Sequence, residues 1–185
     1  MRANQAGKPS PFDYLVVEVS SFQLETIDRF QPWIAALLNV TVDHQDRYES
    51  LDEYIAAKQR IFENQIASDF ALFNLDDDRV AALRHRGPRD TAGVYEAVDD
   101  RYRYVWGTYL EGDRIVTTVT GVRQEICRRS EIRIIGNHNV ENVMAAATYA
   151  VLCGCPLDAI RRVLATFPGL EHALEIVRER RGSDL

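Results

Sequence analysis

Three cysteines in a chain of 185 residues are too few to staple a fold, which excludes the disulfide framework of small secreted domains. Two of them, Cys153 and Cys155, flank Gly154 beside Pro156 at what reads as a helix end. That pattern is too sparse for a zinc site, so packing is their expected role. Long apolar runs are missing as well. No stretch reaches the ~18 residues of a membrane span, and the start has no signal-peptide apolar region, so the expectation is a cytoplasmic chain without membrane contact. Positive charge is in deficit: the net charge is −6, and the basic runs Arg128-Arg129 and Arg178 to Arg181 are short solvated stretches. That leaves no electrostatic footprint for nucleic acid. There is no internal repeat, low-complexity tract or linker. One further absence bears on chemistry. A glycine-rich loop of the form G-x-x-x-x-G-K-[ST], whose backbone donors hold phosphates, does not occur. Gly7-Lys8-Pro9-Ser10 comes nearest, but Pro9 removes a donor and disfavours helix at the preceding residue. Position 2 holds Arg2 in place of the upstream glycine.

What is present suits one domain. Hydrophobic residues make up 46% of the chain, enough at this length for a substantial core. The order of elements is α/β and then β-rich. Apolar runs predict strands near 13–18, 33–40 and 69–74, alternating with helices near 20–29, 51–66 and 77–86, as in a mostly parallel sheet with helical crossovers. From Thr91 to Ile135 the pattern changes. Tyr102 to Trp106, Arg114 to Val119 and Glu131 to Ile135, punctuated by Gly107, Gly112 and Gly121, read as a small antiparallel β subsheet. Tyr102, Tyr104 and Trp106 alternate as sheet-packing residues do. Helices near 138–153 and 156–166 close the domain.

Lys58 is out of place in this pattern. Leu51, Tyr54, Ile55, Ile61, Phe62 and Ile66 recur at the three- and four-residue steps of one helical stripe, and Lys58 falls inside it. Burial without a partner disfavours the ammonium, and a neutral amine is a nucleophile that reacts with carbon dioxide. The alternative is a stem lying along the apolar face with its head in water. Upstream, the run Tyr14-Leu15-Val16-Val17 reads as a buried parallel strand ending on Glu18. Trp33 to Leu38 continues through Asn39-Val40-Thr41-Val42 to Asp43, His44 and Asp46. Both clusters fall at carboxyl ends of strands, the edge where open parallel sheets bind ligands. Glu18, Asp43, His44 and Asp46 are therefore candidates to share a crevice with Lys58. Singly, a Glu after a strand also serves as a helix N-terminal charge, and a lone His is often structural.

The strings Glu18-Val19-Ser20-Ser21-Phe22-Gln23-Leu24-Glu25, Leu38 to Tyr48 and Ala56-Ala57-Lys58-Gln59-Arg60-Ile61-Phe62-Glu63-Asn64-Gln65 resemble the central domain of the Mur ligases. Within that family the Ser-Ser-Phe-Gln-Leu-Glu continuation is similar to the D-glutamate-adding member. Gly136-Asn137-His138-Asn139-Val140-Glu141-Asn142 and Phe167-Pro168-Gly169-Leu170-Glu171-His172 agree, so the resemblance runs in order from about residue 13 to 177. It implies a Mur-ligase-like central domain and an ATP-dependent ligase of peptidoglycan synthesis, which joins D-glutamate to UDP-N-acetylmuramoyl-L-alanine through an acyl phosphate that the incoming amine attacks. It also implies Mg2+ beside ATP, because phosphate charge must be neutralised. By resemblance, Glu18 ligates the magnesium that rides with the nucleotide, His44 ligates a second magnesium, and Lys58 is the carbamylated lysine associated with that second ion. Ser20 and Gln23 lie near the UDP-muramoyl substrate, and Asn139 and Asn142 contact the adenine. An ordinary helix cap by Asn137 or Asn139 is compatible with that role.

The family also carries a phosphate-loop strand and helix, a UDP-binding first domain and a D-glutamate-binding third domain, none of which this chain contains. Ala173 stands where an arginine is expected. Residues 1–185 therefore read as a partial central, ATP-binding domain, inactive alone and prone to self-association through an uncovered sheet edge. Two other readings share the sequence. One is a non-catalytic relic that binds nucleotide, magnesium or a protein partner; the other is a related amide ligase of the folylpolyglutamate type.

Overall fold

Strands with apolar residues on both faces need cover on both sides, and Phe70-Ala71-Leu72-Phe73 has that character. The computed structural model of the chain describes residues 11–41, 47–84, 90–95 (backbone only) and 106–169. In it this run is β2 (Phe70–Asn74), second in a six-stranded sheet of order β1-β2-β3-β4-β5-β6. β1 (Ile34–Leu37) and β3 (Asp90–Tyr95) lie parallel to it on either side. β4 (Gly107–Glu111) is parallel to β3, and β5 (Arg114–Thr117) and β6 (Gln124–Arg128) continue antiparallel. The β4–β5 hairpin turns at Gly112-Asp113, where Gly112 has φ +63, a left-handed conformation that costs other residues strain.

Period-two alternation divides the core. Ala71 and Phe73, with Leu37, Tyr109 and Val116, pack under Tyr54 of α2 (Leu51–Gln59) and Val80 and Leu83 of α3 (Asp78–Leu83). Leu72, with Leu110, Ile115 and Ile126, meets Val143, Met144 and Val151 of α4 (Asn137–Leu152) and Ile160 of α5 (Leu157–Thr166). Helices thus cover both faces, giving the expected α/β class. The second layer is also tied by hydroxyls: Thr148 Oγ1 lies 2.7 Å from Thr108 Oγ1, which lies 3.0 Å from Thr117 Oγ1. All three residues are fully buried, so each hydroxyl needs the others. The end of α4 closes on Gly154 at φ +77, with Gly154 N–H donating to Val151 O and Cys155 N–H to Ala150 O, both 2.9 Å. This is the Schellman pattern, and it explains the Cys-Gly-Cys string as a helix stop.

Several boundaries differ from those the sequence predicts. Residues 13–18 form no strand, and Val16 is 92% exposed. Burial of an apolar strand requires neighbours on both sides; here Tyr14 stacks on Trp33 and donates to Cys153 O, while Leu15, Val16 and Val17 stay 63%, 92% and 54% exposed. The helix near 20–29 is only α1 (Ser21–Leu24), because the Arg60 guanidinium takes the carbonyls of Glu25 and Ile27 that a longer helix would use. α2 stops at Gln59 and finishes in a 3-10 turn, Arg60–Phe62. Beyond it Asn64 donates to the carbonyls of Asp28 and Phe30, and Gln65 to those of Pro32 and Phe70. These bonds hold the chain in a bend, and Ile66 leaves the apolar stripe for solvent. The small antiparallel part expected after Thr91 is formed by β4, β5 and β6, and it is continuous with the parallel strands because β3 and β4 pair in parallel. Residues 131–135 are not a strand; Arg129–Glu131 is a 3-10 turn. Tyr102 and Tyr104 lie outside the described residues, while Trp106 stacks on Phe70 at 5.8 Å between ring centroids. Among the described residues no helix is long and apolar enough to cross a membrane.

Candidate functional site at the carboxyl edge of the sheet

Parallel strands all deliver their carboxyl ends to one edge, and there the chain gathers its polar side chains. β1 runs out through Leu38 and Asn39. Beside it a small cavity of about 150 Å3 is lined by Val19, Leu24, Leu37, Asn39, Lys58 and Ile61. Lys58 reaches it from α2. It is half-buried, and its Nζ stands 4.9 Å from the centre of the Tyr54 ring, one helical turn back. The ammonium is thus neither bare in the core nor fully in water: the aromatic face supplies part of the lost hydration.

Glu18 is exposed, and its neighbour Val19 lines the Lys58 cavity. Glu18 itself lines a larger adjoining cavity that shares Val19, Leu38 and Ile61 with the lining of the Lys58 cavity. Asp43, His44 and Asp46 lie outside the described residues, as do Gly7, Lys8, His172 and Ala173. Ser20 and Gln23 are engaged with each other. Gln23 N–H donates to Ser20 Oγ at 3.3 Å and Ser20 N–H donates to Gln23 Oε1 at 2.8 Å, the reciprocal capping box of α1.

Both flanks of 42–46 are anchored by residues that the sequence did not single out. On one side Val40 N–H donates to Asp77 Oδ2 at 3.2 Å and Val40 O accepts from Arg79 Nη1 at 2.9 Å. Asp77 also caps α3 by accepting from the Arg79 and Val80 amides. On the other side the Glu25 carboxylate accepts from Arg47 Nη2 at 2.5 Å and from Tyr48 Oη at 2.6 Å. The Arg47 guanidinium lies 5.0 Å from the centre of the Phe22 ring, which stacks on Tyr48. The hydrogen bonds from Arg47 and then Tyr48 hold the Glu25 carboxyl below its ordinary range. Burial, and then the bond to Glu25, pushes the Tyr48 phenol up. Asp77 carried a readable signal, an acidic residue before a predicted helix; the Glu25–Arg47 pairing had none.

Further along the edge, β2 ends on Asn74, buried at 2% exposure. Its Nδ2 donates to Glu141 Oε2 of α4 at 2.8 Å, and its Oδ1 accepts from Asp76 N–H at 3.0 Å. This bond brings the first turn of α4 to the carboxyl end of the sheet. Neither Asn137 nor Asn139 caps the helix: Gly136 is the cap residue, with φ +100 and no side-chain cap bond. A Cβ at Gly136 would sit 2.8 Å from His138 Cε1. Asn137 Oδ1 instead accepts from the Arg129 guanidinium, and Asn139 Nδ2 donates to Ile135 O at 2.6 Å. Asn142 Nδ2 lies 3.5 Å from Asn139 Oδ1, so the two amides form one polar patch on the exposed side of the first turns.

Among the described residues no three His, Cys, Asp or Glu side chains converge on a common point. Magnesium needs no such cage, because it keeps several waters and is held through one or two carboxylates together with phosphate oxygens. The Glu18 carboxylate and the Asn39 amide oxygen are hard donors of that kind, and a carbamate on Lys58 would add another. The donor chemistry fits magnesium and not zinc. The three cysteines contribute nothing to this edge. Cys127 is buried, and burial pushes its thiol up to about 11.

Residues 5–150 match the Mur ligase middle domain family. The UDP-N-acetylmuramoylalanine--D-glutamate ligase of Geotalea uraniireducens is 42% identical over 174 residues, covering 92% of this chain and 36% of the relative. The ligase of the same name from Syntrophotalea carbinolica is 41% identical over 175 residues, covering 95% of this chain and 38% of the relative. The chain thus spans little more than a third of the length of the curated relatives it matches. Among solved structures, MurF from Acinetobacter baumannii superimposes with a TM-score of 0.62 at 19% identity, over 87% of this chain and 34% of that one. That likeness concerns the fold.

Proposed function

The chain belongs to the Mur ligase family through its middle domain, and we propose that it is the nucleotide- and magnesium-handling part of a ligase that adds D-glutamate to UDP-N-acetylmuramoyl-L-alanine in the cytoplasmic stage of peptidoglycan synthesis. The observation that carries this reading is the position of Lys58, half-buried at the carboxyl end of β1 with Asn39 and the residue after Glu18 around it. Bound magnesium would neutralise phosphate charge and polarise the transferring group. The chain's own residues have the remaining tasks. Glu18 would hold the magnesium that accompanies the nucleotide, and His44 with carbamylated Lys58 would hold a second. Asn139 and Asn142 offer amide donors and acceptors to the adenine ring, and Ser20 and Gln23 lie beside the muramoyl substrate.

Carbamylation is the step this chain can carry out alone. The neutral Lys58 amine attacks carbon dioxide, a nitrogen–carbon bond forms, one proton leaves, and the resulting anion is stabilised by a nearby divalent cation. Carbon-13 spectra with labelled bicarbonate test it. A carbamate signal that grows with magnesium and is absent in Lys58→Ala is expected. Identical spectra for the two proteins would leave Lys58 as a lysine resting on Tyr54 and remove the main support for the reading.

A further inference from the structure

β2 closes on a residue out of keeping with the rest of the strand. Phe70 to Phe73 are apolar, yet the next position is Asn74, 2% exposed, and a buried amide is costly unless both of its ends are bonded. Its Oδ1 accepts from Asp76 N–H at 3.0 Å, an Asx turn that ends the strand and fixes which way the amide faces. Nδ2 is thereby turned toward the helix layer, where it needs an acceptor. Glu141 of α4 supplies one at 2.8 Å. An aspartate would make the turn equally well; the bond to Glu141 is what requires an amide.

On α4, Glu141 is half-buried between buried Val140 and exposed Asn142, about 100° around the helix axis from each. Val140, Val143 and Met144 bury the helix in the core, but apolar attraction is non-directional and does not by itself set the rotation of the helix or its slide along the sheet. No side chain caps the start of α4. The directional bond from Asn74 therefore ties its first turns to the end of a strand, and Asn139 and Asn142 stand two residues before and one residue after that tie. Their amides are linked to each other at 3.5 Å, and Asn139 Nδ2 is committed to Ile135 O at 2.6 Å, so the patch moves as a unit with the helix. We propose, on the reading of Asn139 and Asn142 as adenine contacts, that Asn74 and Glu141 are positioning residues for the nucleotide: their bond sets the angle and register of α4 at the carboxyl edge and so aims the two exposed amides at a purine base.

Adenosine, which carries the base without phosphate or metal, is the probe. Its titration into the nitrogen-15-labelled 185-residue chain, followed by the side-chain amide signals of Asn139 and Asn142, reads the affinity of the edge for the base. Saturable shifts are expected for wild type. Asn74→Asp keeps the turn to Asp76 but sets two carboxylates against each other, and affinity should fall about 10-fold, the loss of one aligned hydrogen bond. Glu141→Ala, at a half-buried site outside the core cluster, should fall as far. Combining Asn74→Asp with Glu141→Gln restores the bond with donor and acceptor exchanged, and should return affinity most of the way to wild type. Asp69→Ala removes a carboxylate, 6% exposed, that accepts from Gln31 Nε2 and Ile66 N–H at the opposite end of β2. It should lower stability in urea without changing adenosine affinity, which separates lost aim from lost stability. Wild-type affinity in Asn74→Asp or Glu141→Ala, no recovery in the exchanged pair, or an equal loss in Asp69→Ala would each overturn the positioning role and leave the adenine reading in place. No saturable shift in wild type would overturn the adenine reading, and the positioning role with it.

Discussion

Removing the Asp77 carboxylate should destabilise the domain more than an ordinary helix-cap deletion, because one side chain serves two elements. One oxygen caps α3 through the Arg79 and Val80 amides at 2.9 and 3.0 Å, and loss of such a cap costs about 1 kcal/mol. The other accepts from Val40 N–H at 3.2 Å. Val40 is 1% exposed, so Asp77→Ala strands a buried donor at a further cost of about 1–3 kcal/mol. The expected total is about 2–4 kcal/mol, a large share of the ~5–15 kcal/mol that holds a domain together. For a chain of this size it lowers the melting temperature by about 5–15 °C. Asp77→Ser keeps a capping oxygen but is too short for Val40, and should fall between wild type and Asp77→Ala. Urea unfolding followed by circular dichroism reads the difference as a shift in midpoint at constant slope. Equal stabilities for Asp77→Ala and wild type would refute the double role, and equal losses for Ser and Ala would refute the separation into two parts.

Two other substitutions probe the same edge. Gly136→Ala must place a side chain at φ +100 with its Cβ 2.8 Å from His138 Cε1, so a loss of about 1–3 kcal/mol is expected. Adding His138→Ala should return only the steric part, and wild-type stability for the single variant would contradict the geometry. Glu25 has a carboxyl held below its usual value of 4.5 by Arg47 and Tyr48, so its contribution is fully present above that pH and is lost as pH falls through the lowered value. Wild type should therefore exceed Glu25→Gln in stability near neutrality, and the gap should close in acid; a gap that widens below pH 4.5 would show that the carboxylate is not the stabilising form.

Local signals made much of the fold legible. β2 followed from an unbroken apolar run. α4 and α5 began and ended within a residue of their expected positions, because Gly136 and the Gly154–Pro156 stop punctuate them. The displacement of Lys58 toward an apolar stripe was visible in the spacing of Tyr54 and Ile61, and the structure places it half-buried in that direction. Long-range partners were not visible. Asn74 and Glu141 are separated by 67 residues, and no local pattern announces their bond. The helix breaks after Leu24 and Gln59 depend on Arg60, Asn64 and Gln65 reaching distant carbonyls. The 13–18 segment carries the sequence of a buried strand, but burial is set by neighbours in space, and here β1 stands apart from it.

The account rests most heavily on Glu18 and Lys58 holding divalent cations at the carboxyl edge, Glu18 the ion that accompanies the nucleotide and carbamylated Lys58 a second one. Electron paramagnetic resonance of free Mn2+, a spectroscopic substitute for magnesium, measures this directly when the 185-residue chain is titrated with the ion in bicarbonate buffer. Saturable binding is predicted, weakened roughly 10-fold or more by Glu18→Ala and by Lys58→Ala and unchanged by the exposed control Asp52→Ala. Equal Mn2+ affinity in all four proteins would contradict the assignment of the edge as a metal site.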